Sequence, residues 1–305
     1  MPRVIEGSNI EHGWSKVECC ELLGVNRQFY YRCKQEQKKR EALTVKVLEL
    51  VTQVRMRQPR LGVRKLYTIL EQELRTLDVG RDRLFDILRA NHMLIKPRRR
   101  YHVTTNSHHR FRKHKNLTQH LEVKRPEQLW VADITYIGTR QNPMYLALVT
   151  DAYSKKVVGY DVSNSLNAQG AIRALKRGLL QREYPAEALI HHSDRGLQYC
   201  CDDYQEMLDD AQVTCSMTEK YDPYQNAVAE RVNGILKQEF IRGIQINDIQ
   251  LMKKIIKQSI DIYNTERPHL SCRMKTPEYM HLQREIKIKT YKKENPPALE
   301  LVGSI

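Results

Sequence analysis

His191-His192-Ser193-Asp194-Arg195-Gly196 and Asp222-Pro223-Tyr224-Gln225-Asn226-Ala227-Val228-Ala229-Glu230, read together, decide how the rest of the chain is laid out. The apolar run Ala188 to Ile190 predicts a strand that delivers Asp194 to its end, where Asp-Arg-Gly is turn chemistry. Asp222 and Pro223 have the character of an N-cap and a first helical residue, which places Glu230 two turns into a helix. On that helix Val228, Val232, Ile235 and Leu236 form an apolar stripe. Asn226, Glu230, Asn233 and Lys237 fall on the opposite side. A carboxylate, two amides and an ammonium therefore share one face, with Glu230 and Lys237 about 10 Å apart along the axis.

A third carboxylate, Asp133, lies upstream in Leu129-Trp130-Val131-Ala132-Asp133-Ile134-Thr135-Tyr136-Ile137, a segment rich in β-branched and aromatic residues that predicts a strand. Three carboxylates on two strands and a helix suit a two-metal phosphoryl-transfer site. Hard Mg²⁺ or Mn²⁺ ions take oxygen ligands, and two such cations need concentrated negative charge between them. Asp133, Asp194 and Glu230, with 35 residues between the last two and Lys237 seven beyond the glutamate, resemble the DDE triad of the retroviral-integrase superfamily. The phrases His-His-Ser-Asp-Arg-Gly, Asn226-Ala227-Val228-Ala229-Glu230 and Tyr263-Asn264-Thr265-Glu266-Arg267-Pro268-His269 narrow the resemblance to the second-frame (OrfB) transposases of IS3-family insertion sequences.

Composition agrees with a polyanionic partner. The 305 residues carry a formal net charge of +15, which a nucleic acid or an anionic membrane surface would satisfy. No run of 18 apolar residues is present and no signal peptide is visible, so a soluble, cytoplasmic chain is expected, bacterial and nucleoid-associated when on DNA. Seven scattered cysteines with no C-x-x-C pair argue for free thiols and against a zinc module. In this the chain departs from retroviral integrases, which carry an N-terminal zinc-binding domain.

In chain order, residues 1–40 read as a helical hairpin or helix-turn-helix, with Gly24 as the break and Asn26 starting the second helix. Gln35 to Arg40 reads as a charged bridge. Residues 41–95 read as three helices in a helix-turn-helix-like domain, with Arg81 and Arg83 opening the last. Residues 96–125 form a basic stretch, and no acidic residue stands between Ile87 and Leu121. Lys96, Arg98, Arg99, Arg100, Arg110, Arg112 and Lys113 make it either a linker or an arm that neutralises DNA phosphates, two readings that are compatible. Residues 126–243 alternate apolar runs and helical patterns as an α/β unit, and 244–305 read as a helical extension with a basic tail.

The resemblance implies an α/β, RNase H-like catalytic core, a mixed sheet flanked by helices, preceded by all-α helix-turn-helix segments. It implies a DDE transposase: metal-dependent cleavage and strand transfer at insertion-sequence ends, with two Mg²⁺ (or Mn²⁺) ions held by Asp133, Asp194 and Glu230. Lys237 is expected to bind a phosphate near the site, and Asn226 and His192 to support it or position DNA. The partners implied are double-stranded DNA (terminal inverted repeats and target), other copies of the chain on that DNA, and an upstream-frame transposon protein, with which this family's active protein is often a frameshift fusion. A nuclease of the same fold and a catalytically silent DNA-binding regulator are the alternatives.

Overall fold

The computed structural model describes residues 5–7, 13–95, 114–119, 121–139, 141–218 and 226–288. The chain divides into two compact units, Met1–Lys96 and Pro97–Ile305.

The first unit is helical. Helix α1 (Lys16–Leu22) starts on a capping box in which Ser15 and Glu18 satisfy each other's backbone N–H groups. Gly24, at φ 63°, takes the left-handed turn that follows. Helix α2 (Arg27–Arg57), capped by Asn26, then runs for 31 residues without a break. The charged bridge expected at Gln35 to Arg40 is therefore helix. The segment contains no Gly or Pro, its Gln, Lys, Arg and Glu residues are good helix formers, and Gln37 bonds Glu41 one turn on. Helices α3 (Val63–Ile69), α4 (Glu71–Thr76) and α5 (Arg81–Ala90) pack Leu66, Leu74, Leu84 and Leu88 on Val47 and Val51 of α2. Arg81 and Arg83 stand exposed at the start of α5; Arg81 pairs with Asp82 next to it.

The second unit is built on a five-stranded mixed sheet of order β3-β2-β1-β4-β5. Strands β1 (Leu129–Tyr136), β2 (Tyr145–Asp151) and β3 (Val157–Ser163) form an antiparallel meander. Strands β4 (Ile190–Ser193) and β5 (Thr214–Met217) add parallel on the other side of β1. Helix α6 (Ala168–Leu180) makes the crossover from β3 to β4, and α7 (Leu197–Cys200) and α8 (Asp202–Asp210) that from β4 to β5. One face packs Trp130, Ala132 and Val149 on Ala171, Ala174 and Leu175 of α6 and Tyr204 and Leu208 of α8. α6 comes so close to β3 that a Cβ on Gly159 would stand 2.1 Å from the carbonyl oxygen of Ala174.

The other face is covered by α9 (Ala227–Ile235), a π-wound continuation (Leu236–Ile241) and α10 (Ile249–Thr265). Ile137, Leu146 and Leu148 of the sheet side share one cluster with Val232, Ile235, Phe240, Met252, Ile256 and Ile260. The extension after residue 243 is thus part of the core's own packing. Helix α11 (Pro277–His281), capped by Thr276, is sunk beside Glu127 and Asp151. Two features of the Glu230 helix differ from the sequence reading. Its first helical residue is Ala227, so Glu230 sits in the first turn, and Asp222 and Pro223 lie outside the described residues. The winding also changes from α to π at Leu236, which gathers Leu236, Phe240 and Ile241 into the core.

Candidate active site

β1 is the central strand and carries Asp133; Asp194 is the first residue beyond β4. The two strands run parallel, and Val131 beside His192 is the last pair of their ladder. Two residues further along each strand the same register brings Asp133 and Asp194 together. Turn chemistry holds the second: the N–H of Gly196 donates to Oδ1 of Asp194 at 2.9 Å.

Glu230 arrives from the helical face above. Three hydrogen bonds fasten that helix to β1: Asn226 Nδ2 donates to the carbonyl of Ala132 (3.0 Å), Asn233 Nδ2 to Oδ2 of Asp133 (2.6 Å), and Lys237 Nζ to Oγ1 of Thr135 (3.1 Å). The polar side read from the sequence is therefore turned to the strand, with Asn226 and Asn233 buried and Lys237 half-buried. Glu230 alone of the four is exposed, at one end of a groove of about 350 Å³ lined also by Ala227, Arg231, Gly234, Gln238 and Glu239.

The electrostatics follow from like charges brought close. Burial pushes the Asp133 carboxyl up, and the charges of Asp194 and Glu230 push it further, to about 7, against the hydrogen bond from Asn233. Burial raises Glu230 as well. Lys237 is lowered by burial, against the pull of Asp133. Tyr199 on α7, which the sequence reading passed over, is fully buried, and among the described residues its hydroxyl has no hydrogen-bond partner. Its pKa is raised by burial first and then by Asp133, Tyr204 and Asp194. Its place, five residues past Asp194 on a helical turn, was the only sequence signal.

Oxygen donors that repel one another suit a hard divalent cation, so the donor set fits the implied metal. Among the described residues no three His, Cys, Asp or Glu side chains are yet gathered closely enough to hold one. His192 is buried in the sheet with Nδ1 2.8 Å from the Ser216 hydroxyl, a packing position. Arg81 and Arg83 belong to the helical unit, and Lys96, Arg98, Arg99, Arg100, Arg110, Arg112 and Lys113 lie outside the described residues.

Two family models, both described as integrase core domain, match residues 123–223 and 211–277. The second runs well into the helical extension, as the packing does. An insertion element IS600 uncharacterized 31 kDa protein from Shigella sonnei is 34% identical over 255 residues, 82% of this chain and 92% of that one. Transposase InsF for insertion sequence IS3A from Escherichia coli (strain K12) is 36% identical over 163 residues, 53% of this chain and 56% of that one. Among solved structures, the HTLV-2 integrase catalytic core domain in complex with magnesium (trimeric form) is 16% identical at a TM-score of 0.41, covering 52% of this chain and 97% of that one. That likeness is loose, and the fold stands on the strand order and the family models. The mixed sheet and its helices make this an integrase-type core of the RNase H-like class. The chain belongs to the IS3 family of insertion-element transposases.

Proposed function

We propose that the chain cleaves DNA at the ends of an insertion element and joins those ends to a target, with Asp133, Asp194 and Glu230 as the carboxylates that do this chemistry. The observation that carries the reading is the convergence of like charge on one buried point, Asp133, in a family whose core is of integrase type. Proteins avoid such repulsion unless a cation or a reaction uses it.

The three carboxylates would hold two divalent cations, Mg²⁺ or Mn²⁺, which when bound polarise the phosphodiester and stabilise the attacking and leaving oxygens. Asn233 orients the Asp133 carboxylate through its amide. Lys237 sets a positive charge beside Asp133 and tempers the cluster. In the overall reaction, an oxygen of water or of a DNA 3′-hydroxyl forms a bond to phosphorus, the existing P–O bond breaks, and the departing strand end takes a proton. Arg81, Arg83 and the basic stretch of residues 96–113 would hold the duplex by its phosphates. Double-stranded DNA, further copies of the chain and an upstream-frame protein of the element are the partners proposed.

The test is cleavage and joining of labelled element ends by the purified chain in Mg²⁺ or Mn²⁺. Joining of pre-cleaved ends separates a transposase from a nuclease of the same fold. Metal-dependent cutting with no joining would leave only the nuclease, and binding without either would leave the regulator.

A further inference from the structure

The stretch Tyr263 to His269 contributes nothing to the carboxylate site, yet it is among the most thoroughly buried polar segments of the chain. Arg267, 1% exposed, gives Nε and Nη2 to the two oxygens of Glu239 at 2.7 and 2.8 Å. Its guanidinium lies 5.6 Å over the Tyr263 ring, and its Nη1 donates to the carbonyl of Pro268. The neighbours of Arg267 are themselves tied to the sheet. Tyr263 donates its hydroxyl to the carbonyl of Lys155, and the Asn264 amide bonds both the N–H and the carbonyl of Val157 at 3.0 Å, as an adjoining strand would. Arg267 thus reaches Glu239 from a fixed base.

Glu239 lies in the π-wound segment Leu236–Ile241, two residues after Lys237. A π turn holds one residue more than an α turn and persists where its surroundings over-determine it. Each residue advances an α-helix by about 100°, so losing the extra residue would re-aim one side of the turn by about that angle. Leu236 on one side of the turn and Phe240 and Ile241 on the other are all buried in the core, so neither end can yield. The slack would therefore fall between those anchors, on Lys237 and its contact with Thr135. Glu239 also lines the same groove as Glu230.

We propose that Arg267 is a positioning residue that acts through Glu239, locking the π turn so that Lys237 stays against Thr135 beside Asp133. The proposal rests on the reading of Asp133, Asp194 and Glu230 as the reacting centre. A planar fork matched to both carboxylate oxygens is what the position requires, and a lysine would supply the charge without the second bond.

Two measurements on the full chain test it. The first is acetylation by acetic anhydride, read by mass spectrometry at Lys237 against the exposed Lys253, Lys254 and Lys257 of α10. In Glu239→Gln and Arg267→Lys, Lys237 should become several-fold more reactive relative to the other three, and the melting curve identifies the variants that stay folded. An unchanged ratio in a folded variant overturns the proposal. The second is a double-mutant cycle on the cleavage rate. If the clamp acts through Lys237, Glu239→Gln lowers kcat in the native background and adds nothing in a Lys237→Ala background. Fully additive losses mean that the pair only supports the fold, and overturn it. A native chain with no cleavage activity would sink the catalytic reading while leaving the acetylation result to stand or fall alone.

Discussion

Two groups of buried charge, one centred on β1 and one at the turn that leads into it, are treated in opposite ways. Around Asp133 the charges are alike, and the carboxyl is pushed up to about 7. Six residues earlier, in the turn before β1, Glu127 is wholly buried but surrounded by donors. Arg182 bonds it at 2.9 Å, the N–H of Glu183 at 2.8 Å, and the imidazole of His281 stands 3.5 Å away. Burial alone would raise Glu127, and those donors hold it down at about 2. His281, also near Asp151, is raised to about 9 by the two carboxylates against its own burial. Both clusters bury a carboxylate; in one it is paired with an arginine and faces an imidazole, and in the other it faces two further carboxylates. The paired one is a clasp that ties α11 to the start of β1. The other gathers like charge, the feature on which the proposed function rests.

Neutralising the cluster of like charge gives the largest effect. Asp133→Asn, Asp194→Asn and Glu230→Gln should each lower cleavage and joining about a hundredfold or more, the scale of losing a metal-site ligand, while DNA binding stays close to native. Asp133→Asn should also leave the melting temperature unchanged or higher, because it removes a repelled charge. A Tm that drops sharply for Asp133→Asn would show the site to be paired after all and erase the contrast. Breaking the clasp should do the reverse. Arg182→Ala strands the Glu127 carboxylate and should destabilise the fold by about 3–5 kcal/mol, measured by denaturant unfolding, and a loss below about 1 kcal/mol would make the clasp no better than a surface pair.

The clasp also has a pH signature. The raised pKa of His281 means its contribution is complete below the ordinary histidine value near 6.5 and is lost as pH rises through about 9. The lowered pKa of Glu127 means its contribution is complete above 4.5 and is lost as pH falls through about 2. Tm should therefore be highest between about pH 4.5 and 6.5 as far as these two groups decide it, and His281→Gln should flatten the alkaline limb. The smallest effect sharpens the comparison within the active site itself. Thr135→Val removes the acceptor for Lys237, should cost about 1 kcal/mol of stability, and should slow cleavage several-fold without weakening DNA binding. An unchanged rate would mean that the Lys237–Thr135 bond has no part in aiming the lysine.

Much of this was legible in the chain itself. Asp133, Asp194 and Glu230 were set apart by residue type, order and spacing, because a strand and a turn each leave a local signature that needs no partner to be read, whereas the helix start expected at Asp222 and Pro223 falls instead at Ala227. The continuous apolar runs of β2 and β3 announced strands buried on both faces for the same reason. Local chemistry also stated that the Glu230 helix has a polar side, but not which way that side faces. Packing settled it: with α10 and the sheet enclosing Val232 and Ile235, Asn226, Asn233 and Lys237 were left facing β1, where unbonded amides would be costly. The Arg267–Glu239 pair and the clasp of Glu127, Arg182 and His281 join residues 28, 55 and 154 apart in sequence. Periodicity carries no information about such contacts, and a buried charge looks like a solvated one until its neighbours are known. The sequence by itself thus determined most of the elements and singled out the three candidate carboxylates, since those depend on neighbours along the chain. Only the tertiary structure decided which charges are paired, which repel, and where the helix takes its extra residue, since those depend on neighbours in space.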